Sequence, residues 1–187
     1  MLSLENGILG FLSIKPLSGY DIKKLFDMST AYFWPADQTQ IYRTLKKLVK
    51  DGLVEFKGQK KGETVDRKIY AITDKGRQEN LKQIQQNTID DFISRDVFLM
   101  QLFFSGTLSK DERIGLLDTQ LRNVNELKQQ LLNTFDTNFV QFLHLTGLAE
   151  DDPRLRPIDW TYHWELIKCR EYAKLLRKIK SEIKNES

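Results

Sequence analysis

Cysteine is nearly absent. Cys169 is the one such residue among 187, so no intramolecular disulfide framework can form and a reducing compartment is expected. No apolar run approaches the ~20 residues that span a bilayer, so no membrane partner is expected. The opening stretch, Met1-Leu2-Ser3-Leu4-Glu5, has neither the basic start nor the small-residue cleavage site of a secretion signal, and a cytoplasmic location is the expectation. Histidine is scarce: there are two, His144 and His163. His163 and Cys169 lie on one stretch of helical pattern but do not share a face. HExxH, GxSxG, P-loop and dinucleotide fingerprints are all missing. These absences leave no catalytic residues, no metal site and no cofactor to propose, and Glu150-Asp151-Asp152 reads as a solvated acidic loop. No internal repeat or low-complexity tract occurs.

What is present is unevenly charged. Residues 1–87 hold fifteen Lys and Arg against ten Asp and Glu, a net of +5, whereas residues 88–187 hold fourteen against sixteen, a net of −2. A basic half joined to a slightly acidic half fits a first domain that meets a polyanion.

The basic half divides cleanly into elements. A first helix begins after Ser3, buries Leu4, Ile8, Leu9 and Leu12, and stops at Pro16. Ser18 with Asp21 forms a capping box, and Leu17 with Ile22 a hydrophobic staple, for a second helix that should run toward Tyr32-Phe33-Trp34 before Pro35. Asp37 with Gln40 caps a third helix, whose apolar stripe is Ile41, Leu45, Leu48 and Val49. Asp51-Gly52 ends that helix. Strands are expected at Leu53–Lys57 and Arg67–Ile72, around a polar tip, and Thr73 caps a fourth helix running through Leu81 and Ile84. Three helices followed by a hairpin is the element order of a winged helix-turn-helix. The expected fold is mostly α with a small β-hairpin: a winged-helix domain over residues 1–87 and a helical dimerisation domain over 88–187.

The face of the third helix opposite its stripe carries Thr39, Arg43, Lys46, Lys47 and Lys50, with Gln40 and Tyr42 at the flanks. A recognition helix reads bases with its N-terminal part and holds phosphates at its edges. Thr39, Gln40 and Arg43 are therefore the candidate base readers, since Arg chelates guanine and Gln pairs with adenine. Lys46, Lys47 and Lys50 are the candidate phosphate contacts. An exposed lysine pair alone is weak evidence, but the hairpin adds Lys57, Lys60, Lys61, Arg67 and Lys68 where a wing would touch the backbone. The partner expected is a double-stranded DNA operator. The alternative is a winged helix that binds protein, which would need an apolar outer face in place of this basic one.

At these residues the sequence resembles the PadR-like transcriptional regulators. The similar stretches are Ser3–Gly10, Leu17–Lys24, Phe33-Trp34, Gln40-Ile41-Tyr42, Leu45–Leu48, Gly52-Leu53-Val54, and Arg67–Thr73 with Gly76. The second half is similar to the longer branch of that family at Arg95–Leu99 and Leu102-Phe103-Phe104. The resemblance implies a winged-helix repressor that binds an inverted repeat as a homodimer and is released, in several members, by a small and often aromatic effector.

The second half is helical in pattern. Thr88/Asp91 and Ser109/Glu112 are further capping-box starts, Leu117 to Phe135 gives one long stripe, 147–157 reads as a loop, and a last helix covers about 159–184. On it, Trp160, Tyr162, His163 and Trp164 are candidate walls of an effector pocket, against the plainer reading that they fill a core. Ile167, Tyr172, Leu175, Leu176, Ile179 and Ile183 make a stripe wide enough to meet both its own domain and a partner subunit, so a homodimer is expected there.

Overall fold

Local capping signals set most helix starts. The computed structural model describes residues 3–60, 67–86 and 96–186. The side chains of Lys60 and Arg67, the whole of Lys61, and the expected Thr88/Asp91 cap lie outside the described residues. Helix α1 spans Leu4–Ile14, and Asn6 Oδ1 accepts from both the backbone N–H and the hydroxyl of Ser3, at 3.0 and 3.2 Å. Helix α2 spans Gly19–Ser29, with the Asp21 N–H donating to Ser18 Oγ at 3.1 Å and the Ser18 hydroxyl to Asp21 Oδ2 at 2.7 Å. It stops short of Tyr32, the expected limit. The hydroxyl of Thr30 turns back onto the Phe26 carbonyl, which already accepts the Thr30 N–H, and this side-chain bond competes with helix continuation.

Helix α3 spans Gln38–Lys50, strand β2 Val54–Lys60 and strand β3 Arg67–Ile72. Helix α4 spans Asp74–Gln85, with the Thr73 hydroxyl accepting from the Gly76 N–H at 3.1 Å. The sheet holds one strand more than the sequence suggested. Leu17-Ser18 forms a short β1 that pairs antiparallel with β3, giving the order β1-β3-β2. Within the hairpin Val54 faces Ile72 and Phe56 faces Tyr70, and the register then slips at Lys57 so that Gly58 faces Ile69. Gly58 has φ +143, a backbone setting that favours glycine and marks the bulge. Gly76 is required for another reason: a Cβ there would stand 2.1 Å from the Leu53 carbonyl oxygen.

The chain divides into two units, Met1–Ile93 with Asn138–Ala149, and Ser94–Thr137 with Glu150–Ser187. In the first, Ile8, Leu9, Leu12, Ile22, Leu25, Phe26, Ile41, Leu45 and Leu48 are buried, with Phe11 packed edge-on to Phe26. Three helices closed by a twisted hairpin make this unit a winged helix. Two expected stripe residues differ: Leu4 is only partly buried and Val49 is exposed.

The second unit is built on α5 (Val97–Phe103), α6 (Lys110–Thr146, whose last turns belong to the first unit) and α7 (Arg156–Lys184). Ser109 and Glu112 cap α6 as expected. Phe98, Leu117, Val124, Cys169, Ala173, Leu176 and Ile183 form its core. Helices α6 and α7 run antiparallel, as the pairs Arg113–Glu186, Asp118–Lys180, Gln120–Tyr172 and Phe135–Tyr162 descend in step. Burial pushes the Cys169 thiol up, which suits a packing role and not a nucleophile. No described helix is long and apolar enough to cross a membrane.

Candidate nucleic-acid interface

The outer face of α3 is fixed from three sides. Its N-terminus is held by reciprocal bonds, Gln40 N–H to Asp37 Oδ1 at 2.7 Å and Asp37 N–H to Gln40 Oε1 at 3.2 Å. Its inner face is locked by Ile41, Leu45 and Leu48, all at 0% exposure. At its flank Tyr42 lies against the start of α2, where Gly19 leaves room for the ring. A Cβ at Gly19 would sit 2.7 Å from Tyr42 Cε1. A helix held this firmly presents its outer side chains in a preset array.

That array is close to the one the sequence implied. Thr39, Tyr42, Arg43, Lys46 and Lys50 are exposed, and α3 contains no carboxylate. Among the described residues no ion pair engages Arg43, Lys46 or Lys50. Two candidates differ in state. Lys47 pairs with Glu5 of α1, and the hydrogen bond to that carboxylate, then its charge, raise the lysine's pKa. Gln40 spends its oxygen on the helix cap, so bidentate pairing to adenine would require that bond to be released. On the wing, Lys68 is exposed, while Lys57 pairs with Glu55 at 2.8 Å.

Between α3 and the wing the surface opens into a groove of about 350 Å³ lined by Lys46, Val49, Phe56, Lys68 and Tyr70. The Phe56 and Tyr70 rings meet edge-on at 6.5 Å, and burial, then the nearby Tyr42 hydroxyl, push the Tyr70 phenol up. Val49, read as part of the buried stripe, and Phe56 and Tyr70, read only as strand residues, were not among the expected site residues. The available signals were the position of Val49 at the rim of its stripe and the strand alternation that puts Phe56 opposite Tyr70.

In the second unit the four candidate effector residues divide between faces of α7. Tyr162 turns inward and stacks on Phe135, with ring centres 3.7 Å apart and planes at 22°. Burial, then Asp136 and Asp159, raise the Tyr162 phenol. Trp160 and Trp164 point outward, at 65% and 72% exposure, so core filling does not account for them. His163 is exposed, with Nδ1 3.0 Å from the Asp159 carbonyl. The six candidate interface residues divide as well. Leu176 and Ile183 are buried in the unit's own core and Tyr172 and Ile179 pack against it, which leaves Ile167 and Leu175 exposed. A larger apolar surface, missed in the sequence, lies on α5 and just beyond it: Val97, Leu99, Met100, Phe103 and Phe104, with Phe103 at 81% exposure.

Comparison with known proteins adds to this geometry. Residues 8–82 match the model of the transcriptional regulator PadR-like family. The chain is 36% identical over 123 residues to the negative transcriptional regulator PadR of Bacillus subtilis, covering 65% of this chain and 67% of that protein. The crystal structure of B. subtilis PadR in complex with operator DNA superposes with a TM-score of 0.80 at 27% identity, covering 96% of this chain and 98% of that one. The structure of B. subtilis PadR in complex with p-coumaric acid gives a TM-score of 0.76 at 26% identity, covering 98% and 96%.

Proposed function

The chain belongs to the PadR-like family of transcriptional regulators, and on that premise we propose that it is a repressor that binds an inverted-repeat operator as a homodimer. The observation that carries this reading is the capped α3 with an outer face of Thr39, Arg43, Lys46 and Lys50. Arg43 and Thr39 read base edges in the major groove, and Lys46 and Lys50 hold phosphates, as does Lys68 from the wing. Lys47 and Gln40 contribute after releasing Glu5 and the helix cap. A protein-docking role for α3 is disfavoured because its face is basic where an apolar one would be needed.

Dimerisation falls to the second unit. Exposed Ile167 and Leu175 on α7, with the apolar residues of α5, offer a surface of the kind that a second copy covers. A two-fold dimer would set two copies of α3 about one helical turn, ~34 Å, apart on a palindrome. Release by a small, flat aromatic effector is the regulatory part of the proposal. Its support is the p-coumaric acid complex of a relative and the two outward tryptophans, Trp160 and Trp164. The effector works by favouring a dimer shape that does not fit DNA.

The test is a binding selection from random duplexes on the purified chain. An enriched inverted repeat, with Arg43→Ala losing preference at one position in each half-site, is the expected result. Failure to enrich any sequence would contradict the proposal.

A further inference from the structure

The groove beside α3 is apolar in its floor and cationic at both walls. Val49, Phe56 and Tyr70 form the floor, Lys46 stands on the helix side and Lys68 on the sheet side. Phe56 is 50% exposed although it pairs with Tyr70 in the sheet, just before the bulge, so the fold does not spend this ring on its own core. The groove is open on its outer side and continuous with the reading face through Lys46. An occupant must therefore offer an apolar middle, a negative charge toward each wall, and a form that continues past the groove. One nucleotide unit of a DNA strand meets all three needs.

We propose that this groove seats one deoxyribose of the operator backbone, with its sugar face on Val49, Phe56 and Tyr70 and its two flanking phosphates toward Lys46 and Lys68. This deepens the DNA-binding reading above and rests on it. The chemistry also sets a preference for deoxyribose. The floor is mostly apolar, with the Tyr70 phenol as its polar member, and a ribose 2′-hydroxyl turned toward Val49 and Phe56 would be desolvated without a partner, which is costly. The groove thus adds affinity for DNA of any sequence and counts against RNA or hybrid duplexes, while Arg43 and Thr39 carry the sequence preference.

The experiment uses full-length protein and the duplex enriched by selection, with a scrambled duplex as control. Phe56→Ala is expected to weaken both duplexes about three- to tenfold, the loss of roughly half a phenylalanine side chain of burial. It should leave the salt dependence unchanged. Lys68→Gln should lower the slope of log affinity against log salt by about one. A series of duplexes, each with a single ribose, should show one weakened position per half-site for the wild type and none for Phe56→Ala. A flat ribose series for the wild type would overturn the proposal, and so would a normally melting Phe56→Ala variant within about twofold of wild-type affinity. If Phe56→Ala fails to fold, the wild-type ribose series still decides. A wild type that binds no duplex at all would sink the underlying DNA reading, an outcome separate from either of these.

Discussion

Gly19→Ala puts the placement of the reading helix to a quantitative test. Gly19 is the first residue of α2, and a Cβ added there would meet Tyr42 Cε1 at 2.7 Å and Cζ at 2.9 Å. Ordinary carbon contacts are about 3.5–4.0 Å, so the ring must move by about 1 Å. Overpacking of this kind costs about 1–3 kcal/mol, and the lower end applies because Tyr42 is exposed enough to turn aside. Against it stands the helix preference of alanine over glycine, at most about 1 kcal/mol. The net expectation is a loss of no more than about 1 kcal/mol. In a Tyr42→Ala background the clash is gone, and the same Gly19→Ala change should be neutral or stabilising by up to about 1 kcal/mol. The helix preference cancels between the backgrounds, so the two changes should couple by the clash itself, about 1 kcal/mol, in a double-mutant cycle. Urea unfolding at fixed chain concentration measures it, the concentration being held because dimerisation adds to apparent stability. Equal stabilisation by Gly19→Ala in both backgrounds would refute the packing argument.

Other expectations follow from the same geometry. Arg43→Ala should cost about 1–3 kcal/mol on the selected operator and little on scrambled DNA, and anisotropy titrations with equal losses on both would move Arg43 from base reader to phosphate contact. The side chain of Arg154, then its backbone N–H, hold the Asp152 carboxyl at about 2, below its ordinary 3.8. Because the folded value is the lower one, the stabilisation is present above the ordinary value and is lost as pH falls toward about 2. A carbon-detected NMR titration should show the Asp152 midpoint rising toward its ordinary value in Arg154→Ala, and an unmoved midpoint would disprove the pairing. Trp160→Ala should cost less than about 1 kcal/mol, since the ring is outside the core, where burial would have made it 3–5 kcal/mol. It should nonetheless remove the effect of aromatic compounds on operator affinity. A thermal melt run beside the titration checks both, and a large fall in Tm would assign Trp160 a structural role.

Much of the first unit was legible because capping is local. Ser18/Asp21, Asp37/Gln40 and Thr73 each announce a helix within four residues, and the structure uses all three. The face of α3 followed from periodicity alone. What periodicity could not supply depends on distant residues. β1 exists only because Leu17-Ser18 finds Tyr70 and Ile69 some fifty residues later. Gly19 and Gly76 recur in the stretches that resemble the family, but their reasons are the Tyr42 ring and the Leu53 carbonyl, neither of which a local pattern can reveal. Lys47 looked free until Glu5 was placed beside it. On α7 the aromatic cluster read as one group, but adjacent positions on a helix point in different directions, so Tyr162 went inward while Trp160 and Trp164 went outward. The apolar residues of α5 entered the sequence reading only through the stretches similar to the family, and only their exposure marks them as surface.

The central claim is that α3 reads a palindrome as part of a homodimer. Sedimentation of the full-length chain with a labelled duplex carrying the selected repeat, against a scrambled duplex at physiological salt, tests it most directly. The account predicts two chains per duplex and a preference for the repeat of at least about a thousandfold. One chain per duplex, or equal binding to both duplexes, would contradict it.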